Sequence, residues 1–338
     1  MSLNRNTQLK AAELSDTELG FINIIEINKC SSNSSNKISG FDKEKLLQMA
    51  NFSKLSSLTF NEENQRYIEM KLANKGYKTF SEFEQEGYKI IPFSTSYDHA
   101  GYLFIKDKEV TIAYHGTKTL GDLLTDINAI LIPSSFVPGR AHLGFHNGFT
   151  SSWDDIYIKL NEYAKEQNIS VKDFHFNVTG HSMGGAIAKI AAIRLEKIVG
   201  ANEIKVATFG DPRVFDVIAA DNYNKTALVD TTIRVTEHHS DLIPALCPGV
   251  FGYSHVGKNL RIKCPDGNSI HDLDGYYEAI KNHSDDEFQA NNEASIFYYP
   301  SKFLQYANAY TIGNIQQAIS YINNTCLGES SFIEHNLE

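Results

Sequence analysis

The chain opens its patterned region with helix-like spacing. Within 41–75, Leu46, Leu47 and Met49 and then Tyr67, Ile68 and Met70 recur among charged residues, which predicts amphipathic helix. Two short β-rich runs, 101–105 and 110–114, flank Lys106-Asp107-Lys108 and predict a hairpin. Beyond it, Ile156, Tyr157, Leu160 and Tyr163 mark a helix over 153–167. Strand 174–179, an alanine- and isoleucine-rich helix 186–199, and strands 204–209 and 231–236 follow. Strand and helix alternate, so the sheet should be largely parallel with helices on its faces. After Asp241 the regularity decays to one more strand, 259–264, and a helix, 273–282. The segment 286–338, with Phe297, Tyr299, Phe303 and Tyr310, predicts a helical extension packed on the core.

Composition fits this picture. Of 338 residues, 42% are hydrophobic and 21% charged, enough apolar content to offset the entropy of folding with a core. Residues 29–40 form a Ser/Asn-rich linker closing an N-terminal arm, 1–40. With 31 Lys and Arg against 41 Asp and Glu, the formal net charge is −10, and no basic block is present. Nucleic acid is therefore not expected as a partner, and contact with lipid would have to be hydrophobic. No apolar run is long enough to span a bilayer, and the polar opening lacks a basic-then-apolar signal pattern. Cys30, Cys247, Cys264 and Cys326 fit no tight metal spacing, and only Cys247 and Cys264 are near in sequence.

The chemistry concentrates at V-T-G-H-S-M-G-G-A, 178–186, where Ser182 stands between Gly180 and Gly184 at a strand-to-helix junction. This is the G-x-S-x-G arrangement of a nucleophile elbow. A sharp turn lifts the serine hydroxyl off the sheet, glycines remove the collisions it creates, and the following helix aims its N-terminal amides at a developing oxyanion. His181 adjoins Ser182 but points elsewhere at such a turn and reads as structural.

A serine needs a histidine base oriented by a carboxylate, and in α/β-hydrolase folds these follow the order Ser, Asp/Glu, His. Asp241, two strands past the elbow, is the favoured acid; Asp211, more a turn residue pairing with Arg213, is its rival. His271, beginning H-D-L-D-G-Y-Y before a helix, is the favoured base, with His255 and His283 as alternatives. His238 and His239 with Asp241 could suggest a metal site, but adjacent histidines project apart, so neither metal nor cofactor is expected.

Several ordered segments resemble the class 3 lipases: I-A-Y-H-G-T at 112–117, A-H-L-G-F-H-N-G-F at 141–149, the elbow, T-F-G-D-P-R-V at 208–214, R-V-T-E-H-H-S-D-L-I-P at 234–244 and Y-S-H-V-G at 253–257. Met183 stands where leucine is common, and His115 where the family has arginine. The resemblance implies an α/β-hydrolase fold, a mostly parallel sheet flanked by helices, with its catalytic domain over 41–285 and N- and C-terminal helical extensions. It implies Ser182 as nucleophile, Asp241 as acid and His271 as base, with Thr117 and the amide of Met183 as oxyanion donors. It also implies a candidate lid over 119–128, where Leu120, Leu123, Leu124 and Ile127 share one helical stripe, an ordinary core-facing helix being the other reading of that stripe. The expected activity is that of a lipase cleaving fatty-acyl esters of triacylglycerol or another acylglycerol, with transient contact with a lipid interface; secretion is implied by the resemblance alone. A phospholipase A1 or soluble acyl esterase on the same residues is the neighbouring reading, and a non-catalytic binding module the distant one.

Overall fold

The computed structural model describes residues 41–59, 64–95, 98–116, 130–201, 203–237, 241–247, 249–265 and 271–282. In chain order the helices are α1 (Lys43–Ser56), α2 (Gln65–Asn74), α3 (Phe80–Gln85), α4 (Leu143–Glu166), α5 (Met183–Arg194), α6 (Val217–Asn224), α7 (Leu228–Thr231) and α8 (Leu273–Asn282). The strands are β1 (Lys89–Ser94), β2 (His99–Lys106), β3 (Glu109–Tyr114), β4 (Leu131–Pro133), β5 (Arg140–His142), β6 (His175–His181), β7 (Glu203–Phe209), β8 (Phe215–Asp216), β9 (Thr232–Glu237), β10 (Tyr253–Ser254) and β11 (Lys258–Ile262).

Seven strands form one sheet in the order β1-β2-β3-β6-β7-β9-β11. The β1, β2 and β3 pairings are antiparallel, and every pairing from β3 to β11 is parallel. Period-2 alternation buries both faces. Leu103, Ile105, Ile112 and Val178 meet α4 and α5, while Tyr102, Phe104, Phe209 and Val235 meet α1 and α8. Helix α1 is tied to strand ends as well as packed: the Thr179 hydroxyl donates to Met49 O at 3.2 Å and the Ser56 hydroxyl to Tyr114 O at 3.0 Å. This is an α/β-hydrolase fold.

The differences from the sequence pattern have local causes. K-I-I-P-F-S forms β1 despite Pro92, because β1 pairs only with β2 and an edge strand tolerates a missing N–H. Helix α4 starts at Leu143 rather than 153: His142 Nδ1 accepts from the amides of Gly144 and Phe145, at 3.1 and 3.4 Å, and caps the first turn. A second sheet, β10-β8-β5-β4, is built from strands too short to show a period. The arm 1–40 and the extension 286–338 lie outside the described residues. Among the described residues no helix is long and apolar enough to cross a membrane.

Candidate active site

The carboxyl ends of the parallel strands gather the chemistry, as expected for open α/β sheets. Ser182 follows β6 with φ 58° and ψ −128°, a region that costs a non-glycine residue on the order of 1–3 kcal/mol. A Cβ at Gly180 would lie 2.2 Å from the Gly184 carbonyl carbon, so only glycine allows α5 to turn back so tightly. The Ser182 amide donates to Phe209 O at 2.9 Å, and the Ser182 carbonyl accepts from Gly185 N at 3.0 Å. The elbow is thereby fixed to both β7 and its own helix.

Asp241, fully buried after β9, accepts from His271 Nδ1 at 2.8 Å and from the Tyr276 hydroxyl at 2.5 Å through Oδ2, and from Ile243 N at 2.9 Å through Oδ1. Its own amide donates to Glu237 Oε2 at 3.1 Å. The carboxylate is acceptor-only, so it sets the His271 tautomer, with the proton on Nδ1. Burial first, then the charge of Asp241, pushes the Tyr276 phenol well above its ordinary range, so it remains a donor. Gly210, at φ 58°, makes room for the pair: a Cβ there would lie 2.7 Å from Asp241 Oδ2 and 3.1 Å from His271 Cε1.

Sequence order thus brings Asp241 and His271 into direct contact. His271 Nε2, the atom that would take a proton, is buried and has no hydrogen-bond partner among the described residues, so the Ser182 hydroxyl is not bonded to it in this conformation. Such contacts commonly tighten only around substrate. Met183 opens α5, and Gly116 packs against the elbow, where a Cβ would lie 2.7 Å from His181 O. Thr117, the lid positions Leu120, Leu123, Leu124 and Ile127, and His238, His239 and His283 lie outside the described residues.

The rivals occupy other positions. Asp211 pairs with Lys189 at 2.5 Å, rather than with Arg213, whose Nη1 donates to Ala245 O at 2.9 Å. His255 Nε2 is bonded to Pro244 O at 2.9 Å. Burial, then the nearby cations Arg234, Arg213 and Lys189, hold its ring well below the ordinary histidine range. Cys247 and Cys264 are both free thiols, each pushed up to about 12 by burial. Periodicity did not single out Tyr276, Gly210 or the His181 ring, which lies 4.4 Å from that of His271. The visible signals were the tyrosine in H-D-L-D-G-Y and the glycine closing β7.

Residues 111–251 match the family described as Lipase (class 3). The chain is 31% identical over 193 residues to Lipase ZK262.3 of Caenorhabditis elegans, covering 54% of this chain and 51% of that one. It is 32% identical over 149 residues to the secreted mono- and diacylglycerol lipase 1 of Fusarium solani, covering 44% and 42%. The chain thus spans about half the length of these relatives, or less. In fold it is similar to lipase II from Rhizopus niveus, with a TM-score of 0.53 at 22% identity over 68% of this chain and 84% of that one. The segment that carries the elbow, Asp211 and Asp241 is thus similar to the class 3 lipases.

Proposed function

We propose that the chain is a serine carboxylic ester hydrolase that cleaves fatty-acyl esters of glycerol. The observation that carries this reading is the Asp241–His271 pair, 2.8 Å apart, together with a serine held at φ 58° on a strand-to-helix elbow. Ser182 attacks the ester carbonyl as His271 Nε2 takes its proton, and Asp241 stabilises the resulting imidazolium. The tetrahedral oxyanion is received by the amide of Met183 at the start of α5 and by Thr117. Collapse passes the proton to the departing alcohol and leaves an acyl-Ser182, which water, activated by His271, hydrolyses to the fatty acid.

The acylglycerol assignment is supported by the family match and by the name of the Fusarium relative, whose description as secreted also supports an extracellular site of action. Hydrolysis of diacylglycerol and triacylglycerol should exceed that of a diacyl phospholipid and of short p-nitrophenyl esters; the reverse order would reassign the head group. A fluorophosphonate should label the wild-type protein. Ser182→Ala should abolish labelling and lower kcat on the order of 10⁶-fold. Retained labelling in that variant would sink the mechanism.

A further inference from the structure

We propose that His181 is a positioning residue for the base, its part-buried imidazole packed against the His271 ring and holding that ring on Asp241. This rests on the reading of His271 as the base. The two ring centroids are 4.4 Å apart and inclined by 30°, and the Tyr276 ring stands edge-on to His181 at 6.2 Å. His271 is thus bounded by Asp241 along its Nδ1 edge and by His181 across its face, leaving little freedom except about the orientation that presents Nε2. The His181 backbone serves the same site, since its carbonyl lies where a Cβ on Gly116 would clash at 2.7 Å. The chain just after β3 and the base therefore both lie against this one residue.

The electrostatics suit this role. The groups around the paired rings are Asp241 after β9, Tyr276 on α8, Cys264 after β11, and Lys54 on α1, which is itself bound by Asp274 at 2.6 Å and lies 3.8 Å from Asp272. Burial above all, then His271 and Lys54, holds His181 well below the ordinary histidine range. A neutral ring can stack on the imidazolium that forms during turnover. A second charged imidazole there would oppose it.

The test compares His181→Phe, which keeps a flat ring, with His181→Ala, which removes it. The alanine variant should lower kcat by about 10- to 100-fold, the scale of a reacting group displaced by about 1 Å, with KM nearly unchanged. The acid limb of its kcat/KM profile should move to higher pH, because water reaching the exposed His271 face favours the charged ring. Its downfield Nδ1–H proton resonance, shared with Asp241, should broaden. The phenylalanine variant should keep the resonance and most of the turnover. Wild-type pH profile, resonance and kcat in a folded His181→Ala protein would overturn the proposal. So would equal losses in both variants that follow only the fraction of folded protein. Absence of hydrolysis and fluorophosphonate labelling in the wild type would instead refute the ester-hydrolase reading.

Discussion

Asp211 and Asp241 follow neighbouring strands of the sheet, β7 and β9, and both are fully buried, yet their surroundings differ in kind. Asp211 accepts from the Lys189 ammonium at 2.5 Å and the Thr208 hydroxyl at 2.5 Å, and Lys189 also donates to Pro212 O at 3.1 Å. Burial lowers the lysine's proton affinity and Asp211 offsets only part of that, so the net shift is downward. Asp241 instead meets an imidazole, a phenol and a backbone amide, none of which is a permanent cation. The first carboxylate is compensated by a fixed charge before anything binds. The second is held by hydrogen bonds and, on the proposed mechanism, stabilises a charge that forms only when His271 takes a proton. A buried aspartate is thus read by whether its partner can change charge.

The largest test of that contrast exchanges each carboxylate for its amide. Asp241→Asn should lower kcat on the order of 10⁴-fold, because the amide no longer fixes the tautomer or stabilises the imidazolium. Asp211→Asn should leave kcat within about tenfold on the same reasoning, since it touches neither Ser182 nor His271. Steady-state kinetics on one acyl ester decides between them, and comparable losses would erase the distinction.

Stability should show the opposite ranking. Lys189→Met leaves Asp211 buried without its cation and should cost about 3–5 kcal/mol by chemical denaturation. Adding Asp211→Asn should recover most of that, because the uncompensated charge is gone. A double variant no more stable than the single one would show that the ammonium does more than neutralise Asp211.

The contrast also marks what sequence could carry. The elbow at Ser182 was legible because its glycines and the flanking strand and helix are local features, and the candidacy of Asp241 because chain order sets it after the second strand past the elbow. Lys189 was not: in A-I-A-K-I-A-A-I-R a lysine reads as a solvent-facing position, and only the return of the chain at Asp211 makes its burial tolerable. The same limit hid β1, whose Pro92 is harmless only at an edge, and the start of α4, whose cap is a histidine ring rather than a serine or aspartate. The contact of His181 with His271 joins residues 90 positions apart, and no periodicity reports it.

A third carboxylate completes the series at the smallest expected effect. Asp274 opens α8 just after His271 and accepts from Lys54 at 2.6 Å, Tyr77 at 2.9 Å and Lys75, anchoring the helix to the N-terminal segment. Burial opposes its charge, but the bonds from Lys54, Lys75 and Tyr77 outweigh that cost and hold the carboxyl below its ordinary value of 3.8. A depressed folded-state value means its stabilisation is fully present above the unfolded value, near pH 3.9, and is lost as pH falls through the folded one. The difference in unfolding free energy between wild type and Asp274→Asn should therefore be constant from about pH 6 to pH 5 and shrink steadily below about pH 4. A difference that stayed flat down to pH 2 would mean that Asp274 acts through its shape rather than its charge. It would then belong to neither the compensated nor the waiting class of carboxylate.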